Sequence, residues 1–358
     1  MQSLRGWKWV VVALLGLAVG AGCTSGTSEK RVIILINGNS PFWDACRVGL
    51  QDADKDFKLK EAGLRAVLEQ NDGTPQGQLD KLRTFASMSD VAAVGVSAID
   101  ANNAAIADQL RALQAKGVKV ITVDSDVDRE KFRDVRYAFV GTDNLQGGRV
   151  LGRCARLLRP QGGEYETFVG RTGAQNAIER INGFAQGAGD KFKDDGTMAD
   201  QNDRTKAKQN VRDAITNHPD LSVLVGIWSY NAPAIADVVK EPGQDRKRFT
   251  VVTFDAEPGA IQHMSDGLID AMVVQNPYQM GYQGVRLMKA LVQDDQATLH
   301  EILPHHGDKD GDLVNTGLKV VAPDKSSLEA KDFDKKEAEF LHLSDFRKWL
   351  EKYHLSGS

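Results

Sequence analysis

Flat hydrogen-bonding side chains and aromatic rings follow several short β-branched runs of this sequence. Residues of this kind are Asn37, Ser40, Phe42, Trp43, Asp124, Trp228, Tyr230, Asn231, Asp255 and Gln275. In open parallel sheets, ligands bind beyond the carboxyl ends of the strands, where all these residues fall. A carboxylate or amide can bond two neighbouring hydroxyls, and an aromatic face covers the apolar C–H surface of a sugar ring. The pattern predicts a pocket for a polyhydroxylated ligand.

Arg180 adds a cation to this set. It lies at the start of a helical stretch, residues 175–183, where its guanidinium could donate in a fixed fork to adjacent oxygens or form a surface salt bridge. The other candidates also have structural alternatives. Asp124 and Asp255 could cap the segments that follow them, and Phe42 and Trp43 could be core residues of the first helix. Five strand ends with one class of side chain favour a shared binding role.

Other chemistries lack their motifs. The sequence has no GxGxxG or GxxxxGK[ST] phosphate loop, no GxSxG elbow and no HExxH metal motif, so we predict no cofactor and no catalytic residue. His305 and His306 precede three aspartates, but the Gly and Glu that a calcium loop requires are replaced by Leu313 and Lys319. We predict a solvated turn there and no metal site.

Composition excludes a nucleic-acid partner. The chain has 358 residues, a net charge of −4 and 41% hydrophobic residues, and its basic residues are dispersed. This length and apolar content are enough for two globular domains, and no helix-turn-helix pattern precedes residue 31.

The positioning elements follow a βαβα rhythm, which predicts parallel sheets covered by helices on both faces. Strand-like runs occur at residues 31–36, 64–69, 91–96, 118–123, 137–140, 165–169, 222–227, 249–254, 270–275 and 318–321. Ten candidates are too many for one ordinary sheet, so we predict two α/β lobes with four to six strands each.

The N-terminus predicts export. Basic residues precede an apolar run that is too short to span a membrane and ends in small residues before Cys23, which indicates a signal peptide over residues 1–22. The junction resembles a bacterial lipobox, with Gly20 where a bulky aliphatic residue is usual. We therefore expect a lipid on Cys23 and a polar tether over residues 23–30, with an ordinary secretory signal as the alternative. Cys46 and Cys154 then remain as buried free thiols.

The C-terminal stretch, residues 324–358, lacks strand signals. Phe346, Trp349, Leu350 and Tyr353 recur at helical spacing, with Ser344 as the expected N-cap. We expect this amphipathic helix to dock on a lobe; a partner-binding helix is the alternative.

Together these residues resemble the type I periplasmic sugar-binding proteins, closest to the ribose-binding branch. The resemblance covers about residues 32–321 and rests on SPFW at 40–43, VITVD at 120–124, VGTDNLQGG at 140–148, ERINGF at 179–184, HPD at 218–220, VVTFD at 251–255 and VVQNP at 273–277. No one of these motifs is specific alone, but their order and spacing are.

The resemblance implies an α/β fold of two similar doubly wound parallel-sheet lobes joined by a multi-strand hinge. It implies a first lobe of residues 31–141 plus 276–308, a second of 142–275 plus 309–322, and an extension of 323–358. Crossings would fall near Thr142, near Gln275 and within 307–314. Asn37, Ser40, Phe42, Trp43 and Asp124 would line the cleft from the first lobe, and Arg180, Tyr230, Asp255 and Gln275 from the second, with Trp228 and Asn231 nearby.

The implied function is capture of a monosaccharide or similar polyol by a monomer and delivery to an ABC-type permease and its ATPase, with the lipid as the only membrane attachment. Ser125, Asn202 and the Tyr230-Asn231 pair depart from the ribose pattern, so the identity of the sugar stays open. A sensory binding protein and, less favoured, a secreted sugar-acting enzyme are the alternatives.

Overall fold

The computed structural model describes residues 29–358. The predicted signal peptide, Cys23 and the tether up to residue 28 lie outside the described residues. In the described part, no helix combines the length and apolar character needed to cross a bilayer.

Strands and helices alternate along most of the chain. The strands are β1 (Lys30–Ile36), β2 (Leu64–Gln70), β3 (Val91–Val96), β4 (Lys119–Val123), β5 (Phe139–Gly141), β6 (Gly163–Val169), β7 (Phe192–Ala199), β8 (Leu221–Gly226), β9 (Thr250–Phe254), β10 (Ala271–Val274), β11 (Leu313–Asn315), β12 (Lys319–Ala322) and β13 (Glu339–His342). The α-helices are α1 (Phe42–Asp56), α2 (Pro75–Ser87), α3 (Ala104–Ala115), α4 (Asn144–Leu158), α5 (Gln175–Ala188), α6 (Arg204–Asn217), α7 (Asn231–Val239), α8 (Pro258–Ser265), α9 (Pro277–Gln293), α10 (Gln296–Ile302) and α11 (Leu343–Lys352).

Two sheets organise these elements. The first has the order β11-β5-β4-β3-β1-β2, and the second has the order β13-β12-β10-β9-β8-β6-β7. Neighbouring strands are parallel except for β10 and β12, which are antiparallel. Apart from β13, each strand of one sheet has a counterpart in the other. This confirms the predicted fold of two similar parallel-sheet α/β lobes.

Helices cover both faces of each sheet. In β1, Val32, Ile34 and Ile36 belong to one buried cluster, whereas Ile33 and Leu35 belong to another. Alternate residues of a strand point to opposite faces, so both faces of the first sheet are buried. A strand buried on both sides reads as a continuous apolar run, which is why the sequence pattern of β1 was informative.

The prediction of at most six strands per sheet was wrong for the second lobe, because β7 and β13 were not predicted there. Strand β7 has the sequence FKDDGTMA and lies at the sheet edge with much of its length exposed. Edge strands commonly carry polar and charged residues that discourage pairing with other chains, and this removes the apolar signal. Strand β13 is four residues long and pairs with β12.

Three crossings connect the lobes. The chain passes from the first lobe to the second between β5 and α4, returns between β10 and α9, and passes again between β11 and β12. Strand β11 pairs with β5 of the first sheet. Assigning residues 309–322 to the second lobe was therefore wrong for Leu313–Asn315, and the third crossing follows Asn315. At the other two crossings, the Thr142 hydroxyl donates to the Gln275 side-chain oxygen at 2.9 Å.

The C-terminal helix packs against the second lobe. Phe346 and Leu350 are buried with residues of that lobe, as the amphipathic pattern predicts. The predicted cap at Ser344 was wrong. Helix α11 begins at Leu343, and the Ser344 N–H donates to the Asp324 carboxylate at 3.0 Å, so a side chain twenty residues away satisfies the helix start. Within the part of the chain that the structure describes, Cys46 and Cys154 are free and buried, as predicted.

Candidate functional site

A cleft of about 580 Å³, including space open to solvent, lies where the two sheets face each other. Its lining contains every predicted site residue except Asn231: Asn37, Ser40, Phe42, Trp43, Asp124, Arg180, Trp228, Tyr230, Asp255 and Gln275. These residues come from loops that follow the carboxyl ends of the strands and from the helices that begin there. The shared edge of each parallel sheet is what brings them together.

Asp124 and Asp255 occupy equivalent places in the two lobes. Asp124 directly follows β4 and Asp255 directly follows β9, and both have a left-handed backbone, with φ of 64° and 63°. The Asp124 N–H donates to Val140 at 3.0 Å, and the Asp255 N–H donates to Val273 at 2.8 Å. Aspartate tolerates this conformation better than most residues. The neighbouring strand thus fixes each carboxylate at the cleft.

Each carboxylate has a side-chain partner of its own. The Ser97 hydroxyl donates to Asp124 Oδ2 at 3.0 Å. The Gln275 side-chain N–H group donates to Asp255 Oδ1 at 3.0 Å. A carboxylate can accept about four hydrogen bonds, so both residues keep acceptor capacity for a ligand.

Arg180 lies in the same buried layer, with 1% of its surface exposed. Its Nε donates to Asn144 Oδ1 at 2.9 Å, and its Nη1 donates to the Ile227 carbonyl at 3.0 Å. The guanidinium carbon lies 4.3 Å from the centre of the Phe254 ring. Nη2 is buried and has no hydrogen-bond partner among residues 29–358. A buried donor without a partner is costly, so a ligand oxygen at this position would satisfy it.

Asp124, Asp255 and Arg180 form a buried triad, and burial shifts the pKa of each. Burial raises the pKa of Asp124 to about 6, although the positive charge of Arg180 opposes the rise. The pKa of Asp255 is raised to about 6 for the same reason, again opposed by Arg180. Burial also lowers the pKa of Arg180, and the two carboxylates oppose this. The triad therefore combines two acceptors and one donor in a buried site, where hydrogen bonds to a ligand are strong.

Aromatic rings form part of the cleft wall on both lobes. Phe42 and Trp43 contact edge to face, with ring centres 5.0 Å apart and planes at 88°. On the second lobe, the Trp228 ring lies 6.5 Å from that of Tyr230, and its Nε1 donates to Asn176 at 3.2 Å. Such rings can cover the apolar face of a sugar. The site thus combines flat apolar surfaces with polar groups that fix orientation.

Asn231, which was also predicted as a ligand-binding residue, does not line the cleft. Its side chain accepts from the Trp228 N–H at 3.1 Å and donates to the Asp200 carboxylate at 2.9 Å. The Tyr230 hydroxyl also donates to Asp200. Asn231 therefore helps to hold the loop that carries Trp228 and Tyr230.

Six lining residues were not predicted: Gly38, Asn39, Asn176, Asn202, Arg204 and Ser229. Asn202 and Arg204 follow β7, the strand that the sequence pattern did not predict. Arg204 is held by Glu257, with its Nη2 donating at 3.0 Å, and its guanidinium lies 5.3 Å from the centre of the Tyr230 ring. Ser229 and the 38–39 pair are direct neighbours of predicted site residues, and Asn176 lies in the predicted helical stretch 175–183 that carries Arg180; that adjacency was the available signal.

The lobes touch each other around the rim of the cleft. Arg171 Nη2 of the second lobe donates to the Gly73 carbonyl of the first at 2.7 Å. The Ala101 N–H of the first lobe donates to the Gly173 carbonyl of the second at 3.0 Å. These contacts describe a closed arrangement of the two lobes.

The described residues contain no cluster of metal-ligating side chains. Within residues 29–358, no group of three or more His, Cys, Asp or Glu side chains could hold an ion. His305 and His306 are exposed, and the His306 ring stacks on Tyr137 at 4.1 Å between centres.

Comparison with known proteins agrees with this geometry. The family described as "Periplasmic binding protein domain" matches residues 32–296, and the chain belongs to this family of binding proteins. The ribose import binding protein RbsB of Salmonella typhimurium is 23% identical over 296 residues, which cover 81% of this chain and 94% of that protein.

Two solved structures share the fold. A solute-binding protein of an ABC transporter from Burkholderia graminis, in complex with D-arabinose, has a TM-score of 0.72 at 23% sequence identity. The match covers 85% of this chain and 98% of the Burkholderia graminis chain. Another from Agrobacterium vitis, with bound D-fucose, has a TM-score of 0.72 at 21% identity and covers 84% and 99%.

Proposed function

We propose that this protein captures a monosaccharide or similar polyol between its lobes and delivers it to an ABC-type permease driven by an ATPase. The observation that carries the proposal is the buried triad of Asp124, Asp255 and Arg180 beside aromatic walls. Its carboxylates accept from hydroxyls, and its unpartnered Nη2 donates to a ring or hydroxyl oxygen.

Closure follows from contacts on both lobes. A sugar that bonds Asp124 of the first lobe and Arg180 of the second makes its full set of contacts only when the lobes are together. It therefore favours the closed arrangement by its greater affinity for that state. The closed protein, acting as a monomer, would present surfaces of both lobes to the permease.

The proposed ligand class includes the sugars in the names of the relatives. RbsB is a ribose import binding protein, and the two solved structures contain D-arabinose and D-fucose. The chain differs from the ribose pattern at Ser125, which is buried directly after Asp124, and at Asn202, which lines the cleft wall. A sugar other than ribose is thus the expected best ligand.

A thermal-shift screen tests the proposal. Protein lacking residues 1–23 is heated with D-ribose, D-allose, D-arabinose and D-fucose, with L-leucine as a ligand of another class. A sugar present at about 100 times its dissociation constant should add roughly 2.7 kcal/mol of stability. Asp255→Ala should lose most of the shift. A set of sugars that leaves the wild-type melting temperature unchanged, or an equal shift in the variant, would contradict the proposed site.

The anchor is proposed separately. Cys23 and its flanking small residues support lipid attachment at the outer face of a membrane. Metabolic labelling with an alkyne fatty acid should mark the wild-type protein and not Cys23→Ser. Equal labelling of both would contradict the assignment of Cys23.

A further inference from the structure

The C-terminal tail, residues 353–358, returns to the ligand cleft. It leaves α11, whose residues Phe346 and Leu350 are buried in the second lobe. The tail lies outside residues 32–296, the part of the chain that the family match covers. Ser358 is nevertheless only 2% exposed, which is unusual for a polar residue in such a segment.

Ser358 bonds two segments that carry cleft residues. Its N–H donates to the Ala256 carbonyl at 3.1 Å, and the Ala256 N–H donates to the main-chain oxygen of Ser358 at 2.6 Å. Its hydroxyl donates to the Gln275 carbonyl at 2.8 Å. Ala256 directly follows Asp255. One tail residue therefore holds the backbone on which both Asp255 and Gln275 are mounted.

Gly357 shows how closely the tail approaches this backbone. A Cβ atom at Gly357 would lie 2.6 Å from the Ala256 carbonyl oxygen and 3.1 Å from Pro258 Cδ. The first distance is too short for a Cβ atom and involves backbone that cannot easily shift, and the second would require Pro258 to move by a few tenths of an ångström. The contact at Ala256 thus depends on glycine.

The tail also reaches the other lobe. The Tyr353 ring lies 5.5 Å from Tyr278 of α9, which packs in the first lobe, and 5.2 Å from Trp349 of α11. The Tyr278 hydroxyl in turn donates to Asp52 of α1 at 3.1 Å. The tail therefore contacts both lobes next to the crossing at Gln275.

We infer that residues 353–358 are positioning residues for the ligand cleft. None of them lines the cleft. They hold Asp255 and Gln275 in the arrangement that a sugar needs, so that less ordering remains to be done when it binds. The inference rests on the proposed function for its effect on affinity, whereas the contact with the Asp255 loop can be tested without any sugar.

Four variants separate this role from general stability. Gly357→Val displaces the tail from Ala256, Ser358→Ala removes only the hydroxyl bond to Gln275, and Ser356→Ala is the matched control at an exposed position. Ser358→Thr keeps the hydroxyl and serves as the conservative rescue. Ser358→Ala keeps the test decisive if Gly357→Val does not fold.

The first measurement is amide hydrogen exchange of the 255–257 loop without sugar. Gly357→Val should raise the exchange rate of the Ala256 amide about fivefold or more, because it loses its acceptor in the tail. Ser356→Ala should match the wild type. Unchanged exchange in Gly357→Val would overturn the inference, whatever the sugar measurements give.

The second measurement is the dissociation constant for D-ribose, D-allose, D-arabinose and D-fucose, followed by tryptophan fluorescence, since Trp43 and Trp228 line the cleft. Ser358→Ala should weaken binding of the sugar that binds best by about fivefold, and Ser358→Thr should restore most of it. Faster loop exchange with an unchanged dissociation constant would overturn the positioning role. If the wild type binds none of these sugars, the proposed function fails, and exchange still decides whether the tail holds the loop.

Discussion

Replacing Asp124 by Asn should stabilise the ligand-free protein while it removes sugar binding. Asp124 is only 4% exposed, and burial raises its pKa to about 6, compared with about 3.9 in an unfolded chain. At pH 7 the ionised carboxylate therefore costs the folded state about 3 kcal/mol. Asn has the same shape without the charge and keeps the hydrogen bond from Ser97. It also leaves Arg180 and Asp255 as a balanced pair.

The sign of the pH dependence follows from the raised pKa. Below both pKa values the carboxyl is protonated in the folded and unfolded states, so it costs nothing. As the pH rises, the unfolded chain releases its proton first, and the penalty on folding grows until the pH passes about 6. The stability advantage of Asp124→Asn should thus fall from about 3 kcal/mol at pH 7 to about 1 kcal/mol at pH 4.5.

Urea unfolding at both pH values measures this difference, with tryptophan fluorescence and circular dichroism as probes. Asp220→Asn, at an exposed aspartate in the turn before β8, is the matched control and should stay within about 0.5 kcal/mol of the wild type. A variant less stable than the wild type at pH 7, or an advantage that does not change with pH, would refute the reasoning. The same variant should bind sugar at least about tenfold more weakly, because a charge-assisted hydrogen bond is lost.

Three further outcomes are expected. Acidification of the wild type from pH 7 to pH 5 should weaken sugar binding about tenfold for each cleft aspartate that must be ionised, because both have a pKa of about 6. Calorimetric titration that gives the same affinity at both pH values would contradict this. Arg180→Gln should weaken sugar binding at least about tenfold, because it removes the unpartnered donor. Arg149→Gln, on the exposed side of α4, is the control and should bind like the wild type. Equal affinities of Arg180→Gln and the wild type would contradict the role of the guanidinium. Arg171→Ala removes the rim bond to Gly73 and should speed sugar release about fivefold in stopped-flow fluorescence. Arg83→Ala, at an exposed position, is the control and should leave the release rate unchanged. If Arg171→Ala released sugar at the rate of the wild type, the rim bond would not hold the lobes closed.

The sequence by itself determined the fold class and most of the cleft. Strands such as β1 and β3 are buried on both faces, so each is a continuous apolar run. Such runs indicate parallel sheets even when the partner strands are not known. Their ends are then known as well, and the ends of parallel strands are where ligands bind. Asp124 and Asp255 were predictable for this reason, because each directly follows such a run.

Only the tertiary structure showed the elements that depend on a partner and have no apolar pattern of their own. Strand β7 lies at an edge and is largely polar, and β11 and β13 are only three and four residues long, so none has a periodic apolar signal. The start of α11 depends on Asp324, and the third crossing depends on the pairing of β11 with β5. Local sequence carries no information about such partners.

The roles of individual side chains were also settled by distant contacts. Asn231 was predicted as a ligand residue, but its amide bonds Asp200 and the backbone of Trp228 and does not line the cleft. Arg180 keeps a free donor because Asn144 and Ile227 satisfy only part of its guanidinium. Ser358 reaches Gln275 across 83 residues. Periodicity and composition report which residues are buried or stand at strand ends, whereas the partner of each polar group is fixed only when the whole chain is packed.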